Sequence, residues 1–458
     1  MKKSFTNTAY KNADDFIFGK SICPVTLPNG LVIGGGTVYP EINFTLPLME
    51  ITKETMPDVL KNYKEIITDI CSRSRELNVS GFIAEIEMLP PMTEIPSYGR
   101  DVCATVVDVI KEFEAKHGIK GAVRITPADI REGDNLSHMW SGESWSAMLE
   151  SFELCAKAGA ELMSIESIGG KEVHDEAIMY CDLPKAIFAL SVLACRDMDK
   201  LWTEIVAIGN KTGAVAAGDT ACGFANTAMV LAGKNYIPKV FAAVIRVVSV
   251  IRNLVAYECG ALGPHKDCGY EGTYIKAITG TPISSEGRVA ACAHLSTVGN
   301  IASCVCDLWS NESVQNIKLL GGMAPTVSFE QLVYDCRLMN TASAKGHKDA
   351  LLLQSLYAES DSKLDPQAYI LRPDVVLAIS KEIVKVEGHY ARAIKAAEVA
   401  IEFVRKANLS GDLDLSEKEK DWLSNLSDAL STMPHNEDEA INIYAQDCEK
   451  LDRKKYDL

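Results

Sequence analysis

The sequence predicts an α/β chain built around a (β/α)8 TIM barrel, with an N-terminal extension and a C-terminal helical region. Three observations carry that prediction. Short apolar runs opened by glycine alternate with longer stretches of helical period. No nucleotide-binding glycine loop follows the first strand. Beyond about residue 345 the alternation gives way to helices alone. Residues 1 to about 50 are mixed and rich in turns, with Pro24, Asn29-Gly30 and Gly34-Gly35-Gly36. Val59, Tyr63, Ile66, Ile67 and Ile70 then recur at helical spacing. Gly81 opens FIAEIE, a strand; Val106 to Lys116 reads as a helix; Gly121 opens AVRIT; Trp145 to Lys157 reads as a helix; Gly159 precedes ELMSIE. GAVAAGD and LVAYE repeat the strand form, preceded by helical stretches at Trp202 to Ile208 and Phe241 to Ile251.

Strands alternating with helices indicate a parallel sheet. Their apolar, Gly-bounded form fits strands covered on both faces. A doubly wound sheet would place a glycine-rich phosphate loop after its first strand. Neither GxGxxG there nor GxxxxGK[ST] anywhere is found, and Gly34-Gly35-Gly36 does not open a helix, so the barrel is the better reading. The expected division is an extension over 1–50, the barrel over 51–345 and a helical region over 346–458, where Ile394, Ala397, Ile401 and Val404 mark a long amphipathic helix.

The chain has 458 residues and a net charge of -16. That balance argues against nucleic acid and against an anionic membrane surface as partners. No apolar run reads as long enough to span a membrane. The start, MKKSFTNTAYKNADDF, has no apolar h-region and no small-residue cleavage site, which fits a cytoplasmic protein. The Asn311-Glu312-Ser313 acceptor pattern is then a chance match. Fourteen cysteines scattered over such a chain read as reduced thiols, mostly in the core.

Two of those cysteines stand apart. Cys222 lies in GDTACGFANTAM and Cys268 in GPHKDCGYEG, both loops built for backbone freedom. Glu166 ends ELMSIE before another Gly-rich loop. In a barrel, residues at the C-terminal ends of strands face one mouth. Two thiolates and a carboxylate there could hold zinc with a fourth position open. The spacing matches no CxxC or HExxH pattern, so buried thiols beside turns and a capping glutamate remain the alternative.

Taken together, GDTACGFANTAM, GPHKDCGYEGTYIKAITGTP, SIESIGGKEV and CDLWSNESVQ resemble the methanol:corrinoid methyltransferase family, nearly from end to end. The resemblance implies a zinc-containing (β/α)8 barrel with Glu166, Cys222 and Cys268 as ligands. It implies transfer of the methyl group of methanol to Co(I) of a corrinoid, giving methyl-Co(III). The corrinoid would sit on a partner protein, since this chain has no DxHxxG-type cobalamin motif. A homodimer within a heterotetramer with that corrinoid protein is implied as well.

Three negative ligands soften the pull of a metal on oxygen, so an acid is expected beside the leaving oxygen. Asp219 and Glu87 are the candidates, with His265 behind them. Asp219 could instead cap a helix or loop, and Glu87 could pair with Arg124. His294, Cys259, Cys304 and Cys306 read as structural, the last two on one face of a strand. Gly169-Gly170-Lys171 could cradle an anion, but bending the chain after Glu166 is the better reading. Asn226 and Asn311 are candidates for the mouth or a partner contact. Rival functions are a zinc methyltransferase for a methoxylated aromatic or a methylamine, a non-catalytic zinc or corrinoid-protein-binding barrel, and a metal-free barrel.

Overall fold

A computed structural model describes the chain except residues 1, 45, 47, 48, 132–137, 221, 268, 269, 314–317, 449 and 450, and except the side chains of residues 222, 267, 290 and 447. Strands β1 (Lys20–Thr26) and β2 (Val32–Gly35) form an antiparallel hairpin. Its turn is the expected one: Gly30 takes a φ of +78°, and the Asn29 side chain accepts from Leu31 N and donates to Gly121 O.

Eight parallel strands follow: β3 (Tyr39–Phe44), β4 (Gly81–Glu87), β5 (Lys120–Thr126), β6 (Leu162–Ile165), β7 (Val215–Asp219), β8 (His265–Asp267), β9 (Ile283–Glu286) and β10 (Leu308–Ser313). They pair in the order β7-β6-β5-β4-β3-β10-β9-β8. The seam between the end strands is bridged by Leu262 N donating to Ala216 O at 2.9 Å and by the Tyr257 hydroxyl donating to Ala217 O at 3.0 Å. A principal helix follows each strand: α1 (Met56–Glu76), α2 (Pro96–His117), α3 (Glu143–Ala158), α4 (Ala194–Thr212), α5 (Lys239–Cys259), α6 (Gly272–Thr279), α7 (Arg288–Ala293) and α8 (Ala324–Lys345). This is a (β/α)8 barrel. A small hairpin, β11 (Lys318–Leu319) and β12 (Gly322–Met323), precedes α8. Helices α9 (His347–Ser362), α10 (Pro373–Ile383), α11 (His389–Ser410), α12 (Glu417–Ser431) and α13 (Glu437–Asp447) follow, with α11 and α12 packed on α5 and α10 on α6.

Period-two alternation sorts each strand into two faces. Along β4, Phe82, Ala84 and Ile86 pack outward against the helices, while Ile83, Glu85 and Glu87 follow one another along the other face. At the closed end that inner face is apolar. Ile83, Ala122, Leu162, Val215, Ala217 and Leu308 pack there with Val25, Leu27, Leu31 and Ile33 of the β1–β2 hairpin. The hairpin therefore plugs the bottom of the barrel.

Several expectations need correction. LVAYE is not a strand; it is the last part of α5. This helix is buried on every side, between the barrel and α11, and its largely apolar run lacks the period that separates helix from strand. It is also long and apolar enough to cross a membrane, contrary to the expectation that no run is; here it lies wholly inside the protein. The strand leading toward Cys268 is instead β8. Cys304 and Cys306 lie in a turn before β10 rather than on a strand, although both are buried thiols as expected. The first barrel strand, β3, lies within the first 50 residues.

Candidate active site

Above the apolar plug the barrel interior turns ionic. Arg124 on β5 pairs with Glu41 on β3 at 2.6 Å and also donates to Ser164 Oγ and Pro264 O. This replaces the expected Arg124–Glu87 pair, because Glu41 takes two guanidinium nitrogens of Arg124 and Ser164 and Pro264 take the third. Lys266 on β8 bridges Glu85 at 3.1 Å and Glu286 at 2.9 Å. Burial raises the Glu85 carboxyl, but Lys266 and Arg124, with the Thr126 hydroxyl, hold it below its ordinary value.

Nearer the mouth the acids outnumber their partners. Burial, aided by repulsion from Glu87 and Asp219, pushes Glu166 up to about 7. Burial and the neighbouring Glu286 and Glu87 push Glu312 up to about 7 as well. Glu87 is raised by burial and then by Glu85, and it accepts a hydrogen bond from Asn43 Nδ2 at Oε2, 3.2 Å away. Such a concentration of buried carboxyls is stable only if some stay protonated or a cation joins them.

Arg252 on α5 ties the strand ends together. It pairs with Asp219 Oδ2 at 2.9 Å, donates to Ser167 Oγ, and stacks over the Phe224 ring at 4.1 Å. Asp219 Oδ1 accepts from Ser167 N at 3.3 Å. One guanidinium thus holds the end of β7, the residue after Glu166, and the π-helical turn Cys222–Asn226. Burial still leaves Asp219 above its ordinary value despite Arg252.

Glu166 and the Cys222 turn are brought side by side. A Cβ built on Gly223 would sit 3.4 Å from Glu166 Oε1. The side chain of Cys222 and the whole of Cys268 lie outside the described residues, and Cys268 directly follows β8. Among the described residues, no three His, Cys, Asp or Glu side chains are grouped to hold a metal. His265 is wholly buried, and desolvation followed by Arg124 and Arg252 lowers it to about 3, so it is a neutral imidazole and no acid.

The remaining residues take structural places. His294 Nδ1 bonds Asn226 Oδ1 at 2.5 Å. Cys259 is half-buried against Asp199 and Thr203, and burial pushes its thiol up to about 11. Asn311 is buried on β10. Gly170 N, the heart of the anion-cradle idea, is already bonded to the Tyr456 hydroxyl at 2.8 Å. Sequence reading missed Arg252, Lys266, Glu85, Glu286 and Glu312. The available signal for Arg252 was an arginine inside the apolar run Val247 to Val255, which demands a buried acid partner.

A parallel (β/α)8 barrel with ionisable groups gathered at the C-terminal ends of its strands has the form of a barrel enzyme. Residues 2–457 match the family described as methanol-cobalamin methyltransferase B subunit, and the chain belongs to that family and is a methyltransferase. It is 39% identical over 452 residues to the methanol–corrinoid protein co-methyltransferase of Methanosarcina barkeri (strain Fusaro / DSM 804), covering 97% of this chain and 95% of the relative. It superposes on a chain of the methanol:cobalamin methyltransferase complex MtaBC from Methanosarcina barkeri with a TM-score of 0.94 and 37% identity, over 100% of both chains.

Proposed function

We propose that this chain takes the methyl group of methanol and passes it to Co(I) of a corrinoid carried by a partner protein, with a zinc ion held by Glu166, Cys222 and Cys268. The observation that carries the reading is the Glu166 carboxylate beside the Cys222 turn, in a buried mouth with surplus acid. A divalent cation offsets that surplus, and a carboxylate with two thiolates is a donor set zinc accepts. Family membership and the resemblance to the MtaBC complex support the substrate and the partner. Zinc, when bound, supplies Lewis acidity toward the oxygen of methanol.

A corrinoid cobalt(I) on the partner would supply an electron pair to carbon as the carbon–oxygen bond breaks, and the oxygen would leave as water after gaining one proton. Of the two candidate acids, Glu87 is the better placed to hold that proton. Asn43 occupies Oε2, leaving Oε1 to carry it, and burial beside Glu85 keeps the carboxyl above its ordinary value. Asp219 instead serves Arg252 and Ser167, so its part is to orient the strand ends.

The test is anaerobic mixing of the purified protein with its Co(I) corrinoid carrier, followed by visible spectroscopy on adding methanol. Conversion to the methyl-Co(III) spectrum, abolished by stripping zinc and restored by zinc, is expected. Conversion only with a methylamine or a methoxylated aromatic moves the substrate. No conversion with any donor, on an active carrier and zinc-loaded protein, overturns the reading.

A further inference from the structure

The loop after Glu166 is held by the far end of the chain. Tyr456, two residues before the last, is fully buried. Its hydroxyl accepts from Gly170 N at 2.8 Å and donates to Glu172 Oε1 at 3.0 Å. It sits in a short 3-10 helix, Arg453–Tyr456, whose start is capped by the Asp452 side chain accepting from Lys454 N. Lys455 O accepts from Met139 N at 3.1 Å, and Asp457 meets His138 Nε2 at 2.8 Å. The tail therefore touches both the β5–α3 connection and the β6–α4 connection.

The same loop is pinned from below. Ile168 N donates to Asp129 Oδ2 at 3.2 Å. Asp129 is held by Arg131 at 2.7 Å, and Arg131 pairs in turn with Asp197 at 2.6 Å. Trp140 Nε1 also donates to Asp197, at 2.9 Å. At Gly169 a Cβ would fall 2.2 Å from Asp197 Cβ, so the backbone is pressed against this ion-pair cluster. Gly170 takes a φ of +80°, which a non-glycine residue adopts only under strain. Residues 167–170 are thus clamped between a buried ionic floor and a C-terminal roof.

We propose that Arg453–Leu458 is a latch that positions the Glu166 loop, with Tyr456 as the positioning residue. The inference rests on the reading of Glu166 as a zinc ligand. Tyr456 does not touch the reacting atoms. It fixes the backbone three to four residues beyond the carboxylate, so that Glu166 meets the metal without reordering its loop. Outer groups that orient a ligand in this way change metal affinity substantially.

The test compares wild type, Tyr456→Phe, a truncation after Asp452, and Asp438→Asn, at the exposed start of α13, as a control outside the latch. Hydrogen exchange of the peptide covering residues 167–172 is followed by mass spectrometry with and without zinc. Zinc release to a chromophoric chelator and the visible bands of the cobalt(II)-substituted protein are measured alongside. In Tyr456→Phe, exchange at Gly170 is expected to quicken roughly fivefold. Zinc release is expected to quicken about tenfold, with the cobalt(II) bands altered. Asp438→Asn is expected to match wild type in all three. Unchanged exchange at 167–172 in both Tyr456→Phe and the truncation overturns the latch. Faster exchange with unchanged zinc release and unchanged cobalt(II) bands overturns its role in positioning Glu166. Wild-type protein that holds no zinc at all sinks the metal reading, and the exchange data still decide the latch.

Discussion

The two ends of the barrel interior are built on opposite terms. At the closed end, Ile83, Ala122, Leu162 and Leu308 meet the β1–β2 hairpin in a dry apolar layer. One pleat period higher, the same strands present Glu85, Arg124, Ser164 and Ser310; one period beyond that come Glu87, Thr126, Glu166 and Glu312. The closed end is stable through burial. In the middle every carboxylate has a cationic partner, Lys266 shared by Glu85 and Glu286 and Arg124 paired with Glu41. At the mouth, Glu87, Glu166 and Glu312 are each raised by burial and by neighbouring acids. The difference teaches that the ionic middle insulates a stable floor from a reactive rim, and that the rim is where a cation belongs.

Breaking the rim has the largest expected effect. Cys222→Ala and Cys268→Ala should each lose zinc by elemental analysis and lose methyl transfer by more than about a thousandfold, roughly 4 kcal/mol in barrier. Full zinc content in both variants removes the proposed site. The middle layer comes next. Lys266→Met leaves Glu85 and Glu286 buried without their cation and should cost about 3–5 kcal/mol in denaturant unfolding. Ile83→Ala, in the apolar floor, should cost about 3 kcal/mol by the same measurement. If Lys266→Met proves the milder of the two, the ionic layer is not the balanced structure described.

Glu87→Gln tests the rim without touching the metal. Methyl transfer should fall about a hundredfold with zinc content unchanged. Asp219→Asn should instead act mainly on stability, because it strands Arg252. A pH–rate profile that shifts with Asp219→Asn but not with Glu87→Gln reverses that assignment.

The smallest effect lies at the closed end. Glu161 precedes β6, accepts from Val123 N at 2.8 Å, and is pushed by burial up to about 7 from an ordinary 4.5. A raised carboxyl binds its proton more tightly in the folded protein than in the unfolded one. Its contribution to stability is therefore present below about 4.5 and is lost as pH rises toward 7. Glu161→Gln should flatten that decline, with the melting temperature gaining roughly 1–2 °C on wild type between pH 5 and pH 7.5. Parallel pH curves for the two proteins would exclude Glu161 as its source.

Four barrel strands were legible from sequence and four were not. FIAEIE, AVRIT, ELMSIE and GAVAAGD carry enough Ile, Val, Leu and Ala on both faces to read as covered strands. YPEINF, HKD, ISSE and LWSNES place Glu41, Lys266, Glu286 and Glu312 inward, so they read as loop. A search that expects an apolar interior overlooks an ionic one. LVAYE failed for the converse reason, since a helix buried on every side presents no polar stripe. Of the site, Glu166, Asp219 and Glu87 were legible because each ends a recognisable strand at the mouth.

The sequence by itself determined the alternation of strand and helix, the barrel, the family resemblance and the strand-end acids. Those signals are local, written in periods of two and 3.6 residues and in unbroken motifs. Only the tertiary structure decided that Arg252 serves Asp219 and Ser167, that Arg124 belongs to Glu41, and that Tyr456 reaches Gly170 across 286 residues. Partners of buried charges are selected by depth and proximity within the closed barrel, and no spacing along the chain encodes either.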